Sequence, residues 1–522
     1  MSVNLYQALR QGFPQDLTQI AITTDSGLHY SWQDLDRASA MIAHLLMSFE
    51  LPPQARVLAK LDKSVEALML YLACLRSGLV YVPINPSFQA AETEFFLKDA
   101  EPALVVCPPD QFAWVSRMAY KVPVRAVFTL GASRDGSLLE RAAHLPDSYS
   151  PYRTGDDDLA AIIYTSGTTG ISRGAMLTHR QLLANAQVLK DHWQIKSSDV
   201  LLHALPTYHV HGLFVAIHSM FLAGASLNWM RKFEPQSAIT AMRDATILMG
   251  VPTYYIRMLG EPALGPQAVK SMRLFVSGSA PLKVDTFKAW LQRTRRPIVE
   301  RYGMSETVIL CSNPVDEAGT SHQTGTIRAG SVGRPLPGVD LRLVNDHNET
   351  CAQGEVGHVQ VRADSVFEGY WKNSESLSND FTADGYFKTG DIGRFDDDGY
   401  LYLVGRSKDV IITGGCNVYP AEIEQVIMQI QGLAECAVIG VPHPDFGEAV
   451  VAVVAPAFDA DVDTLQIIAH CRHQLAPYKV PKQVLVVQRL PRNAARMVQK
   501  PLLREQWQHL FDESDRPLEP LE

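Results

Sequence analysis

The chain has 522 residues, 46% of them hydrophobic and 20% charged, with a formal net charge of −9. That is ordinary globular composition but long for a single core, so two or more domains are expected. The acidic balance argues against non-specific nucleic-acid binding, which needs a basic face. The seven scattered cysteines, in no metal-ligand spacing, read as reduced thiols.

Residues 1–13 alternate polar and apolar side chains and lack the basic start and apolar run of a signal peptide. Apolar runs such as 67–74 are too short to span a bilayer. A cytoplasmic protein with no membrane partner is expected. From about residue 55 to 470, short β-branched runs alternate with helix-like segments, for example Leu104–Cys107, 161–164, 246–250, Leu274–Ser277 and 450–455. Such alternation is the signature of α/β layers with largely parallel sheets.

The stretch Ile162-Ile163-Tyr164-Thr165-Ser166-Gly167-Thr168-Thr169-Gly170-Ile171-Ser172-Arg173-Gly174 runs from an apolar strand into a loop dense in Gly, Ser and Thr. Glycines let backbone N–H groups converge on an anion, hydroxyls add donors without bulk, and Arg173 supplies charge for a polyphosphate. A Ser/Thr-rich surface turn is the plainer alternative. No Gly-Lys-Ser/Thr follows, so this is not a Walker A loop. A helix is expected to begin at Thr178, which has capping-box spacing to Gln181. Further on, Asp396-Asp397-Asp398-Gly399 reads as a turn between strands at 393–395 and 400–404. The following Gly405-Arg406-Ser407-Lys408-Asp409 reads as a linker. The expected division is 1–405, 406–510 and an acid- and proline-rich, frayed tail, 511–522.

The loop resembles the Tyr-Thr-Ser-Gly-Thr-Thr-Gly-x-Pro-Lys-Gly signature of the adenylate-forming superfamily of acyl-CoA synthetases, peptide-synthetase adenylation domains and luciferases. Five more motifs follow in that superfamily's order: Ser277-Gly278-Ser279-Ala280-Pro281-Leu282, Arg301-Tyr302-Gly303-Met304-Ser305-Glu306-Thr307, Tyr386-Phe387-Lys388-Thr389-Gly390-Asp391, the linker at Lys408, and the segment opening with Gly414-Gly415. The resemblance implies a large α/β N-terminal domain of several subdomains with parallel sheets and a small mobile α+β C-terminal domain. It implies ATP, Mg²⁺ and coenzyme A as substrates and cofactors, and a small carboxylic acid as the group activated.

It also implies roles. Thr165, Ser166, Gly167, Thr168, Thr169, Gly170 and Arg173 would hold phosphates, and Gly278, Ser279, Ala280, Glu300, Arg301, Tyr302 and Gly303 would form the adenine pocket. Asp391 and Arg406 would take the ribose. Ser305 would bond the α-phosphate, Glu306 would hold the metal, Lys408 would be the hinge, and Gly414 and Gly415 would line the coenzyme A tunnel. Outside that context, Glu306 and Asp391 would pass for surface and turn carboxylates.

Tyr208-His209-Val210-His211-Gly212, with Leu490-Pro491-Arg492-Asn493, looks like the malonyl-CoA synthetase branch. A buried second carboxylate must be paired, and the candidates are His209, His211, Lys283 and Lys288. Val210 and Ile309 replace the branch's usual threonine and methionine, and Phe287-Lys288 replaces its His-Arg pair. Three departures touch catalysis: Ser172-Arg173 for Pro-Lys, Ser305 for threonine, and Arg496-Met497 where the superfamily has glycine and its catalytic lysine. Three readings follow: a working ligase, with Arg496 in the lysine's role; a repurposed enzyme acting on a carrier-protein thiol or an amine; or an ATP-binding protein without catalysis.

Overall fold

Runs of Val, Leu and Ile without polar alternation need burial on both faces, which parallel sheets covered by helices provide. The computed structural model describes residues 4–166, 172–315, 326–373, 377–413, 416–457, 460–493 and 497–511. They fall into two compact units. One comprises residues up to Leu341 with Val361–Phe387 and Asp398–Leu401, and the other Arg342–Gln360, Lys388–Asp397 and the chain from Tyr402 onward.

The first unit is built on two sheets. The six-stranded sheet orders Ala126–Thr129, Leu104–Cys107, Arg56–Lys60, Val80–Ile84, Leu159–Ser166 and Ser172–Thr178. All neighbours are parallel except the last pair. Every residue of Leu104–Cys107 and Val80–Ile84 is buried, as their unbroken apolar runs require. The nine-stranded sheet has a parallel centre running from Val299–Tyr302 through Leu274–Ser277, Ile247–Gly250, Val200–His203 and Ser226–Trp229 to Ile20–Thr24. Short antiparallel strands close both its edges.

Between the glycine-rich loop and the helix expected at Thr178, the strand Ser172–Thr178, for which the sequence carries no separate signal, pairs back on Leu159–Ser166. The helix His179–His192 then starts from the expected capping box, with Thr178 and Gln181 bonding each other's backbone N–H. A second unexpected element is the π-helix His211–His218. Wider turns of this kind tend to mark functional sites.

The second unit includes residues of a four-stranded sheet, ordered Asp340–Val344, Gly357–Arg362, Phe387–Phe395 and Leu401–Arg406. It also carries a sheet around the long hairpin Leu433–His443 and Gly447–Pro456. The period of two along these strands divides their side chains between two cores. Val438, Val450, Ala452 and Val454 pack with Ile423, Ile427 and Ile467 of two helices. Ala437, Ile439, Val451 and Val453 pack with Leu490 and Leu503. No helix among the described residues is long and apolar enough to cross a membrane.

Candidate active site

In the first unit, Thr165 lies next to the end of the inner strand Leu159–Ser166 and stands opposite Arg173 on the returning strand. Gly167, Thr168, Thr169 and Gly170 between them, and the side chain of Ser166, lie outside the described residues. Beside this mouth sits Glu306, a buried carboxylate. Its Oε1 accepts the Tyr370 hydroxyl at 2.7 Å, and the Thr165 hydroxyl lies 3.5 Å from the same oxygen. Burial, then the Glu306 charge, raises the Tyr370 pKa, so the phenol stays a donor. The Arg173 guanidinium stacks on the Tyr370 ring, 3.8 Å from its centroid, with Asp380 3.7 Å away. Ser305, next to Glu306, is half-buried.

No group of three or more His, Cys, Asp or Glu that could hold a metal occurs among the described residues. A cation beside Glu306 would therefore be held by one carboxylate and by oxygens of hydroxyls, phosphates and water. Hard oxygen donors with few protein ligands suit Mg²⁺.

A second group lies where strand Leu274–Ser277 ends. Gly278 is pressed against Arg301: a Cβ there would stand 2.3 Å from Arg301 Nε, so only glycine fits. Ser279 has φ 68°, a left-handed conformation costly for a non-glycine residue. Its hydroxyl lies 3.3 Å from both His211 Nδ1 and Arg301 Nη2. His211 and Arg301 are buried, and neither His211 Nε2 nor Arg301 Nε has a partner among the described residues. Burial pushes the Arg301 pKa down to about 9, and burial, then the Arg301 charge, holds His211 neutral. His209 remains accessible to solvent, yet surrounding protein pushes its pKa down to about 4.

Glu300, on the same strand as Arg301, accepts from Leu282 N at 2.9 Å, and burial pushes its pKa up to about 8. Tyr302 is buried, and Gly303 admits no side chain because a Cβ would meet the Val308 carbonyl at 1.8 Å. Ile309 and Val210 are buried and apolar, whereas Ala280 is exposed. Lys283 and Lys288 do not join this group: both are exposed, at the cap and on the outer face of the helix Val284–Thr294. Solvation of an ammonium outweighs anything this helix face offers it.

In the second unit, Gly390 at φ 73° bends the strand Phe387–Phe395 and delivers Asp391 into a buried position. Asp391 Oδ1 pairs with Arg406 Nε at 2.8 Å, and its backbone N–H bonds the Thr389 hydroxyl at 3.1 Å. Lys408 lies in the tight turn Ser407–Asp409, where desolvation lowers its pKa and Asp409 is held by Arg504 at 3.1 Å. Gly414, Gly415 and Arg496 lie outside the described residues. Met497 is 52% exposed, and its N–H bonds Asn493 Oδ1. Lys500 is committed to Glu424 at 2.6 Å.

Sequence reasoning missed Tyr370, whose only local signal is an aromatic pair after glycine, Gly369-Tyr370-Trp371. It also missed the bend of Ser279 and the protonation of Glu300, which depend on what surrounds them.

The AMP-binding enzyme family matches residues 10–371, and the AMP-binding enzyme C-terminal domain matches residues 422–496. The malonate–CoA ligase of Arabidopsis thaliana is 33% identical over 93% of this chain and 86% of its own length. The sulfoacetate–CoA ligase of Cupriavidus necator is 34% identical over 83% of each. Among solved structures, ATP-bound MatB from Rhodopseudomonas palustris is 43% identical, covers 98% of this chain and 100% of its own, and superposes with a TM-score of 0.93.

Proposed function

The chain belongs to the AMP-binding enzyme family, as an adenylate-forming acid–CoA ligase, and from that premise we propose that it activates a small acid with a second polar group, malonate or a near analogue. The observation that carries this reading is the buried pair of Arg301 and His211, each with an unpartnered nitrogen beside Ser279. Beyond the Ser279 hydroxyl at 3.3 Å, the desolvated guanidinium leaves its Nε without an acceptor among the described residues, and a carboxylate or sulfonate on the substrate supplies one. Relatives named for malonate and sulfoacetate have acids of that form. Val210 and Ile309 are buried and apolar, and in this proposal they line the rest of the acid pocket.

In the first step the acid's carboxylate oxygen attacks the α-phosphorus of ATP and pyrophosphate leaves. Two anions must meet, so positive charge and fixed donors are needed. Ser305 and the loop from Thr165 to Gly170 hold phosphates in this proposal. Glu306 holds Mg²⁺, which neutralises phosphate charge when bound. Tyr302, Gly278 to Ala280, Glu300 and Gly303 enclose adenine, and Asp391 with Arg406 takes the ribose. In the second step the thiol of coenzyme A, reaching in along Gly414 and Gly415, gives its proton to solvent or a base. Its sulfur then attacks the acyl carbonyl, and AMP leaves. Residues 406–510 turn about Lys408 between the steps. With Met497 at the lysine position, the first step is the slow one.

The test is ATP- and CoA-dependent thioester formation across two- to five-carbon mono- and dicarboxylates and sulfoacetate, followed by mass spectrometry. Short acids bearing a distal anion are expected to give the highest kcat/KM, and Arg301→Met is expected to abolish that preference. Equal use of unsubstituted short acids, or product only with a carrier-protein thiol or an amine, overturns the reading.

A further inference from the structure

Arg173 occupies a position where a basic residue is expected to reach for phosphate, yet its guanidinium lies over an aromatic ring. The stack on Tyr370 is 3.8 Å from the centroid, and Asp380 lies 3.7 Å from its Nη1. That ring's hydroxyl, in turn, is bonded at 2.7 Å to Glu306 Oε1. The backbone reinforces the same path. Tyr370 forms a bridge with Ala175, Trp371 N–H bonds the Gly174 carbonyl at 2.7 Å, and Met176 N–H bonds the Gly369 carbonyl at 3.0 Å. At the other end, Phe367 N–H bonds the Glu306 carbonyl at 2.8 Å. The segment 367–371 is thus tied on one side to the strand that leaves the phosphate loop and on the other to Glu306, by both backbone and side chain.

We propose that Arg173 and Tyr370 form a strut that positions the Glu306 carboxylate, with Arg173 acting through the aromatic ring rather than as a phosphate ligand. A glutamate carboxylate on three rotatable bonds points at a cation only if something holds it, and the Tyr370 hydroxyl fixes one oxygen. The phenol itself can swing unless its face is covered. A planar guanidinium covers it, whereas a lysine ammonium offers a point charge and no plane. The strut rests on the reading of Glu306 as the metal-holding residue, and both are tested together below.

The experiment uses the full-length enzyme and the variants Tyr370→Phe, Arg173→Lys, Arg173→Met and Glu306→Gln, with folding checked by circular dichroism. ATP binding is measured by calorimetry with Mg²⁺ and in its absence, and metal binding by Mn²⁺ paramagnetic resonance. Tyr370→Phe is expected to raise the Mg²⁺ concentration for half-maximal pyrophosphate release roughly tenfold. It should weaken Mn²⁺ binding to match and leave metal-free ATP affinity and the acid's KM unchanged. Arg173→Lys should behave like Arg173→Met, because both lose the stack.

If Arg173→Lys matches the native enzyme while Arg173→Met loses ATP affinity equally with and without metal, Arg173 is a phosphate ligand and the strut is wrong. Unchanged metal dependence in Tyr370→Phe, alongside a large change in Glu306→Gln, overturns the strut alone. Unchanged metal dependence in Glu306→Gln overturns the metal assignment and the strut with it.

Discussion

Glu306 and Met497 occupy two positions on which the resemblance places heavy demands during adenylation, and their surroundings are opposite. Glu306 is buried, bonded by Tyr370, and continued by backbone hydrogen bonds into the strand beyond the phosphate loop. Met497 is half-exposed, its N–H bonded to Asn493, and its side chain is among the exposed large hydrophobic ones. The contrast shows where this chain keeps its support. A carboxylate that has to point one way is held by its neighbours, so replacing it disturbs many contacts. A long side chain that is half-exposed disturbs fewer contacts when it changes, so that position accepts a methionine at little structural cost.

The largest effect expected from breaking this contrast is a gain. Met497→Lys should raise the rate of acyl-adenylate formation by about 10²-fold, the usual weight of one preorganised charge. The thioester step from a supplied acyl-adenylate should not change. Pyrophosphate release and thioester formation are followed separately, and no gain in either would mean that the buried side of the site is itself defective.

An intermediate effect is expected at Glu300, where burial in the first unit acts on charge directly. Its pKa is pushed up to about 8, against about 4.3 for an unfolded glutamate. Between those values the folded chain keeps a proton that the unfolded chain has released. Stability therefore falls as pH rises, by roughly 1 kcal/mol per unit. The contribution is fully present below the unfolded value and is lost as pH rises through about 8. Glu300→Gln, which can still accept from Leu282 N–H, should flatten this slope in urea denaturation between pH 5 and pH 8 (about three units). An unaltered slope would place the titration elsewhere.

The smallest effect belongs to Lys500. Its ammonium is tied to Glu424, so it is not expected to stand in for the missing lysine. Lys500→Ala should cost less than about 1 kcal/mol of stability and leave adenylation unchanged. A large loss of adenylation would reverse that assignment and bring Lys500 into the site.

Much of this molecule is legible in one dimension because its signals are local. The unbroken apolar runs at Leu104–Cys107 and Leu274–Ser277 are buried strands, since a strand covered by helices on both faces takes consecutive large side chains out of water. The spacing of Thr178 and Gln181 marks a helix start, since capping needs only residues three apart. Asp391 and Arg406 are distant in the chain, yet both stand in recognisable motifs and meet at 2.8 Å.

What remained hidden depends on long-range packing. Nothing near Arg173 in sequence announces that Tyr370, almost two hundred positions later, lies beneath its guanidinium. Lys283 and Lys288 read as partners for an acid by charge alone, whereas helix phase leaves both in solvent. Glu300 and Arg301 differ from any other acidic and basic pair only through desolvation, and desolvation is a property of everything around a residue. The sequence by itself determined the layers, the motif order and the family, because these rest on periodicity and short-range spacing. Only the tertiary structure decided which charges are buried, which are paired and which carboxylate is held still, because those properties arise when distant segments exclude water together.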